Sequence, residues 1–343
     1  MQPELSIVLS TLGNYEVLRR VLDAYERQTA APGTFEILVV ADQMDPDPAA
    51  VDAAVGTRPY PVRRLTGRIP GLSSNRNTGW RAAAAPVVLF TDNDTIPVPE
   101  FVEEHLALHR RHPEEEVAVV GHVRWSPELR LTPFMRWLDE GIQFDYGSIQ
   151  GTEASWAHLY GANGSIKRAL VERVGGYDEE RLPYLYEDLD FAYRAKEHGL
   201  RVLYNPRALV DHLRPGMTLE FWREKARRMA ASEREFVAIH SGMEPWFFNK
   251  FSAAAGRPPV RGRGAKLAPF VPEGTPWLGP RVWKAARQYY WQELAGPFLQ
   301  AWEEAESRPM TAEWLAASSD GGRAQSAAAA GSARSRGSQP GGS

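Results

Sequence analysis

The feature that most constrains the fold is a series of short apolar runs in the first part of the chain, separated by helical patterns. The runs at 5–9, 35–40 and 87–90 are almost wholly apolar and rich in β-branched residues, and a fourth run lies at 62–65. Such runs are expected of strands that are buried on both faces. The alternation therefore predicts an α/β fold with a mostly parallel sheet flanked by helices.

The segment between the first two runs has the spacing of a helix. Apolar residues recur every three or four positions from 14 to 28, with Asn14 as the predicted N-cap. Parallel sheets covered by helices bind ligands beyond the carboxyl ends of their strands. The other predicted elements are strands at 117–121, 159–167, 201–204 and 208–212, and helices at 187–197, 221–240 and 281–306.

Composition divides the chain into three parts. The organised α/β pattern fills residues 1–215, and a helical, aromatic-rich extension is expected at 216–315. Residues 316–343 contain mainly Ala, Ser and Gly without periodicity, so we expect a disordered tail. The extension could cover an acceptor site, form a dimer contact, rest on a membrane or add a packing layer, and the sequence leaves these four uses open.

Charge and cysteine content exclude several classes of protein. The net charge of -3 gives no global attraction to nucleic acid, and the absence of cysteine restricts any metal to oxygen or histidine ligands. No apolar stretch approaches the roughly 20 residues of a membrane-spanning helix, and the N-terminus lacks a signal-peptide pattern. We expect a cytoplasmic protein, with peripheral membrane contact and a homo-oligomer left open.

The segment Asp92-Asn93-Asp94 directly follows the run at 87–90. Two carboxylates one residue apart at a strand end can hold a hard divalent cation together with a ribose or sugar hydroxyl. The same residue types are also common in turns and helix caps, which need no ligand. The segment is thus a candidate metal motif that depends on its surroundings.

Glu187 and Asp188 begin the predicted helix at 187–197, and His212 follows the last short strand. Carboxylates at a helix N-terminus are favoured by the helix dipole, which is the purely structural explanation. If the helix opens at the same edge as Asp92, Asp188 could act as a general base for an incoming hydroxyl. A histidine such as His212 is a common metal ligand, although many histidines only form hydrogen bonds.

These motifs occur in an order that resembles glycosyltransferase family 2, whose members share the GT-A fold. The resemblance covers about residues 4–215. It rests on Ser6 to Thr11 with Gly13-Asn14, on Glu36 to Asp42, on Asn75-Arg76-Asn77-Thr78-Gly79, on Leu89 to Asp94, on Gly161 to Lys167 with Gly175-Gly176-Tyr177-Asp178, on Glu187-Asp188, and on Tyr204 to His212. The second strand departs from the family pattern because it ends Ala41-Asp42-Gln43-Met44-Asp45, so that Asp42 or Asp45 could face the base.

The resemblance implies an inverting, metal-assisted enzyme that moves a sugar from a nucleoside-diphosphate sugar to the hydroxyl of a carbohydrate or other acceptor, as in polysaccharide biosynthesis. It implies Asp188 as the general base, with Asp94 and His212 holding Mn²⁺ or Mg²⁺. A uridine diphosphate sugar is the favoured donor, with guanosine and thymidine open. The implied donor-binding residues are Thr11, Gly13, Asn14, Asp42, Arg76, Asp92 and Asn93, and the implied acceptor-binding residues are Glu187, Trp156 and Asn163.

Two other functions fit parts of the pattern. A nucleotidyltransferase that makes the sugar nucleotide would need a phosphate loop rich in glycine and arginine after the first strand, and residues 10–14 are short and lack a basic residue. A sugar-nucleotide-binding protein without turnover would have no need of a base. The presence of Asp94, Asp188 and His212 together favours the transferase.

Overall fold

The computed structural model describes residues 2–305. The described strands are β1 (Leu5–Thr11), β2 (Phe35–Ala41), β3 (Val62–Thr66), β4 (Val87–Asp92), β5 (Thr95–Pro97), β6 (Val117–Trp125), β7 (Glu153–Ala154), β8 (Asn163–Lys167) and β9 (Arg201–His212). The described helices are α1 (Tyr15–Tyr25), α2 (Pro48–Val55), α3 (Leu72–Ala82), α4 (Phe101–Arg111), α5 (Pro133–Leu138), α6 (Arg168–Val174), α7 (Glu187–Lys196), α8 (Leu219–Ile239), α9 (Trp246–Ala255), α10 (Arg263–Leu267) and α11 (Leu278–Glu304).

These strands form one sheet in the order β3-β2-β1-β4-β8-β6-β9-β5, with β7 paired to β9. The first four neighbours are parallel, and β8 runs antiparallel to both β4 and β6. Thr11 lies opposite Ala41, and Ser10 lies opposite Asp92. The carboxyl ends of β1, β2 and β4 therefore meet at one edge, and the loops that follow them share that edge.

The central strand β1 is buried along its whole length. Leu5, Ile7 and Leu9 pack into a core with α1, α2 and α4, whereas Val8 packs into the core on the opposite face, beside Trp80 of α3. Alternate side chains of a strand point to opposite faces, so two helical layers require apolar residues at every position. The predicted α/β class with helices on both faces is confirmed.

Strand β9 corrects a prediction. The sequence suggested two short strands around Pro206, but the structure has one strand from Arg201 to His212. Its register with β6 shifts, since Gly121 lies opposite Asn205 whereas the next residue, His122, lies opposite Leu209. The extra residues form a β-bulge that contains Pro206, and a bulge tolerates proline because no ladder hydrogen bond is needed there.

The strand predicted at 159–167 is also shorter, because β8 begins at Asn163 after a 3₁₀ turn over Trp156–His158. The other predicted strands and helices are present with ends shifted by a few residues. The predicted tail at 316–343 lies outside the described residues.

The helices after β9 form their own apolar cluster with α5. Trp137 of α5 packs with Trp222 of α8, Phe251 of α9 and Phe298 of α11, and all four side chains are fully buried. The sequence pattern gave no indication of α9 and α10, which lie within residues 241–275, a segment rich in Gly and Pro. No described helix is long and apolar enough to cross a membrane.

Candidate active site

The Asp92-Asn93-Asp94 turn is hydrogen-bonded to the end of β1 and the residues that follow it. The Asn93 side-chain amide donates to Thr11 Oγ1 at 2.8 Å and to the Gly13 carbonyl at 3.0 Å. Thr95 Oγ1 donates to the Asp92 carbonyl at 2.8 Å, which closes the turn from its other side. The structure thus brings the predicted donor-side residues of two different loops together.

The turn between β1 and α1 has an unusual backbone. Gly13 and Asn14 both have positive φ, at 65° and 57°. Asp45 holds this turn, because its carboxylate accepts from the Gly13 N–H at 2.8 Å and from the Tyr15 hydroxyl at 2.7 Å. Asn14 occupies the N-cap position of α1 as predicted, but its exposed side chain makes no capping hydrogen bond.

Asp42 lies deeper than Asp45, with only 2% of its surface exposed. Its Oδ2 accepts from the Gly71 N–H at 3.0 Å and from the Tyr184 hydroxyl at 2.9 Å. Both aspartates therefore have partners within the protein, and contact of either one with a nucleotide base stays a prediction.

Arg76 stands at the centre of the site. Its guanidinium is buried, donates from Nη1 to Glu187 Oε1 at 2.7 Å, and lies 5.4 Å from the centre of the Tyr177 ring. Burial alone would lower the pKa of Arg76, but the charges of Glu187, Asp92 and Asp188 hold it above its ordinary value. Of these three carboxylates, Glu187 is in direct contact with the guanidinium.

Glycine at position 161 makes room for this arginine. A Cβ atom there would lie 2.2 Å from Arg76 Nη2, and the contact involves the buried guanidinium. The Gly161 N–H also donates to Asp188 Oδ2 at 3.2 Å. The contact with Arg76 alone thus requires a residue without a side chain at position 161.

The carboxylates around Arg76 differ in environment. Burial raises the pKa of Asp92 to about 6, against the attraction of Arg76 and with a further contribution from Asp94. Burial also raises the pKa of Glu187, against the attraction of Arg76 and with the support of Asp188. Glu187 Oε2 is buried without a hydrogen-bond partner among the described residues. This oxygen is an available acceptor at the edge of the sheet.

Asp188 is half-buried at the start of α7, and its Oδ1 accepts from the Leu189 N–H at 2.9 Å. The two residues before Glu187 have positive φ, with 60° at Leu185 and 62° at Tyr186. Such a backbone is strained for residues with side chains and persists only when its surroundings fix it. The Tyr186 hydroxyl supplies one such restraint by donating to Glu233 Oε1 of α8 at 2.7 Å.

Asp94 and His212 are neighbours, as predicted. Their Oδ2 and Nε2 atoms lie 3.5 Å apart, and the His212 ring stacks on Trp125. Arg214 Nη1 donates to the same Asp94 oxygen at 3.1 Å. Burial opposes ionisation of Asp94, but His212 and Arg214 hold its pKa well below the ordinary value. Asp94 is thus a carboxylate.

The spacing of Asp94 and His212 fits two ligands of one cation, since ligand atoms each about 2.1 Å from a metal ion stand roughly 3 to 3.5 Å apart. In the described part of the chain, no set of three or more His, Asp or Glu groups is arranged to hold a metal. Asp94 and His212 could therefore supply two ligands of a cation, and the remaining ligands would have to come from groups outside residues 2–305.

Lys225 of α8 is a residue that the sequence did not single out. Burial lowers its pKa to about 8, Arg214 and Arg228 lower it further, and Asp94 and Glu187 oppose them. The charges of Asp94 and Glu187 thus act on this lysine, whose Nζ lies 4.3 Å from the centre of the Trp222 ring. Position 225 lies in an ordinary amphipathic pattern, so only the packing of α8 reveals its burial.

Two predicted acceptor residues have partners within the fold. Asn163 is fully buried and lies opposite Thr91 of β4; its side-chain N–H groups donate to the carbonyls of His122 and Ala208, and its side-chain oxygen is bonded to the ring of His105. Its contact with an acceptor stays a prediction. Trp156 is partly buried and packs edge-to-face on Tyr193, at 5.2 Å between ring centres, and its contact with an acceptor stays a prediction.

Curated relatives match the organised part of the chain. The validoxylamine A glucosyltransferase of Streptomyces hygroscopicus subsp. limoneus is 28% identical over 239 residues, which cover 58% of this chain and 49% of that protein. The glucosyl-dolichyl phosphate glucuronosyltransferase of Haloferax volcanii is 26% identical over 226 residues, which cover 61% of this chain and 69% of that protein. The chain spans about half the length of the first of these curated relatives.

The fold matches a solved structure over most of its length. The mannosyltransferase PcManGT from Pyrobaculum calidifontis, in complex with GDP-Man and Mn²⁺, aligns with a TM-score of 0.58 at 20% identity, covering 87% of this chain and 88% of that one. This likeness confirms the GT-A fold. The family described as "Glycosyltransferase like family 2" matches residues 3–232. The chain therefore belongs to the family 2-like glycosyltransferases, which are transferases, as its motifs predicted.

Proposed function

We propose that the chain is an inverting glycosyltransferase that takes its sugar from a nucleoside-diphosphate sugar. The acceptor hydroxyl attacks the anomeric carbon, and its oxygen forms the new bond while the bond to the diphosphate oxygen breaks. The acceptor proton passes to the Asp188 carboxylate. One displacement inverts the anomeric configuration, and no second carboxylate acts as a nucleophile.

The observation that carries this proposal is the position of Arg76 between the two halves of the site. Its guanidinium bonds Glu187 of the acceptor-side helix and is influenced by Asp92 of the donor-side turn and by Asp188. A general base and a donor site must face one reacting carbon. Gly161 lies against the Arg76 guanidinium and donates to Asp188, and Asn163, two residues later, lies opposite Thr91 of β4, which supports a single pocket at this edge.

Asp94 and His212 would hold a divalent cation, which stabilises the charge of the leaving diphosphate when it is bound. A histidine in the set favours manganese over magnesium. Arg214 adds positive charge beside Asp94, where a diphosphate has to lie. Arg76 already has a carboxylate partner, so its direct contact with phosphate is the weaker part of the donor assignment.

On the acceptor side, Glu187 Oε2 is positioned to accept from a substrate hydroxyl, because it is buried without a partner among the described residues. On the donor side, Asp45 rather than a basic residue closes the turn after β1. This favours sugar transfer over nucleotidyl transfer, because a nucleotidyltransferase needs cationic groups after β1 to bind a triphosphate.

The named relatives set the donors to be tested. One curated relative is named a glucosyltransferase, and the solved mannosyltransferase contains GDP-Man and Mn²⁺. Uridine remains the base that the family resemblance favours, and guanosine becomes the first alternative. UDP, GDP and dTDP with MnCl₂ should be screened by thermal shift, since a ligand that binds only the folded state raises its melting temperature.

The general base is tested with the donor found in that screen. Asp188→Asn should abolish sugar transfer and leave the affinity for the nucleoside diphosphate within about twofold, because a base contributes to the reaction rather than to binding, and loss of general-base catalysis typically costs 10² to 10⁴ in rate. Asp52→Asn, at an exposed position of α2, is the matched control. Unchanged transfer by Asp188→Asn would remove this residue from its role.

A further inference from the structure

The connection between α10 and α11 exposes large apolar side chains. Phe270 and Trp277 are each 81% exposed, and Leu267 and Leu278 are about half exposed. Of the seven large apolar side chains exposed in residues 2–305, these four lie within a segment of twelve residues. We call residues 267–279 the apolar loop. A cluster of exposed apolar side chains marks a surface that contacts a membrane or another protein.

Hydrogen bonds hold the backbone of the apolar loop in a defined conformation. Its backbone is closed by hydrogen bonds from the Phe270 N–H to the Leu267 carbonyl and from the Gly279 N–H to the Thr275 carbonyl, each 2.9 Å long. The Trp283 indole N–H donates to the Val271 carbonyl at 2.9 Å, which fixes the middle of the loop on α11. The loop therefore holds its exposed rings in place.

Trp277 is the most unusual residue of the loop. Its φ of 63° is strained for a residue with a side chain, and its ring points into solvent. Arg281 Nη1 donates to the Trp277 carbonyl at 2.6 Å and helps to hold this conformation. A strained backbone that holds an aromatic ring in solvent favours a binding role for that ring.

The charge around the apolar loop is strongly positive. Residues 257–284 contain six basic residues and one acidic residue, although the whole chain has a net charge of -3. The acidic residue, Glu273, is paired with Arg287 at 2.7 Å. The six basic residues are all exposed, and they are Arg257, Arg261, Arg263, Lys266, Arg281 and Lys284. Exposed aromatic rings within a basic surrounding are the chemistry that binds anionic lipid surfaces.

The apolar loop is also connected to the active site. Arg287 of α11 donates both to Glu273 in the loop and to Glu140 beyond α5. Gln143 follows three residues after Glu140, and its side-chain amide lies 3.4 Å from His212 Nδ1. A surface that held the apolar loop would lie beside the segment that reaches the candidate metal site.

We propose that the apolar loop docks on an anionic membrane surface, with the rings of Phe270 and Trp277 in the interface and the surrounding lysine and arginine side chains against lipid phosphates. Tryptophan favours the boundary between headgroups and acyl chains. The basic residues strengthen attachment to anionic lipid by attraction that acts over about a Debye length. This inference is independent of the sugar-transfer chemistry.

Vesicle flotation of the full chain tests the proposal. Vesicles of phosphatidylcholine mixed with phosphatidylglycerol should carry the protein upward, whereas vesicles of phosphatidylcholine alone should carry much less. The double variant Phe270→Ser/Trp277→Ser should lower partitioning to the mixed vesicles at least about tenfold, because two large aromatic side chains lose their burial. Leu131→Ala, an exposed apolar residue outside the loop, is the matched control.

The charge contribution is tested separately with Arg263→Glu/Lys266→Glu against Arg27→Glu/Arg111→Glu at the ends of α1 and α4. Only the first pair should weaken flotation, and added salt should reduce the difference. Failure of the wild-type protein to float with mixed vesicles, or equal flotation of the Phe270→Ser/Trp277→Ser variant, would overturn the proposal. The proposal would also be overturned if the wild-type protein were a dimer that did not bind vesicles and the Phe270→Ser/Trp277→Ser variant were a monomer. The apolar loop would then be a contact between two copies of the chain.

Discussion

The buried ion pair of Arg76 and Glu187 gives a prediction that can be worked from the structure. Both side chains are almost completely buried, with exposed fractions of 3% and 5%, and their charged atoms lie 2.7 Å apart. Arg76→Met removes the cation and leaves Glu187 beside Asp92 and Asp188 without compensation. Breaking a buried pair by removing one partner costs about 3 to 5 kcal/mol, so the free energy of unfolding should fall by that amount.

The double variant Arg76→Met/Glu187→Gln separates the pair from general damage to the core. It removes both charges of the pair, so its free energy of unfolding should fall by at least about 1 kcal/mol less than the sum of the two single variants. The assay is urea unfolding followed by tryptophan fluorescence, with Arg27→Met as a surface control.

The Arg76→Met variant should also respond to pH with a defined sign. A carboxyl group whose pKa is raised in the folded state binds more protons there than in the unfolded chain, so lowering the pH stabilises the fold. Removing Arg76 raises the pKa of Glu187 further, and the variant should be less destabilised at pH 6 than at pH 8. Two results together would refute the prediction for the ion pair. The changes in the free energy of unfolding would be additive for the two substitutions, and Arg76→Met would lower that free energy no more than Arg27→Met does.

Three further predictions follow from single residues. Asp94→Ala should weaken binding of the nucleoside diphosphate in MnCl₂ and leave the weaker binding in chelator unchanged, as measured by calorimetry; equal affinity of wild type with and without Mn²⁺ would contradict the metal assignment. Gly161→Ala places a methyl group against Arg76 and should cost about 1 to 3 kcal/mol of stability and lower turnover, whereas Gly147→Ala, which has open space, should do neither. Burial lowers the pKa of His105 to about 4 from 6.5, so the unfolded chain takes up a proton below about pH 6.5 that the folded chain refuses, and stability should fall by about 3 kcal/mol between pH 6.5 and 4. His105→Asn should show a shallower fall in denaturation midpoint over that range, and an identical pH profile would exclude His105 as its source.

The part of the fold that the sequence predicts is the part set by local periodicity. The runs that became β1, β2 and β4 are buried on both faces, so their composition alone identifies them. The ends of these strands place the Asp92 turn and the turn after Thr11 at one edge, and the order of motifs locates Glu187 and Asp188. These residues lie next to recognisable strand or helix ends.

The rest depends on contacts between distant parts of the chain. Helix α9 begins where the Phe247 and Phe248 N–H groups donate to Glu233 of α8, so its cap is not in its own sequence. The partner of Arg76 lies 111 residues away, and the burial of Lys225 follows from the packing of α8. A bulge in β9 likewise depends on its pairing with β6. No local pattern specifies any of these.

In the proposed mechanism, Asp94, His212 and Asp188 surround one reacting sugar. The most direct measurement is a crystal structure with the nucleoside diphosphate selected by thermal shift and Mn²⁺. We expect a manganese ion held by Asp94, His212 and the diphosphate, with the Asp188 carboxylate across the space left for the sugar. A diphosphate bound away from the end of β4, or an Asp188 carboxylate directed away from that diphosphate, would contradict the proposed mechanism.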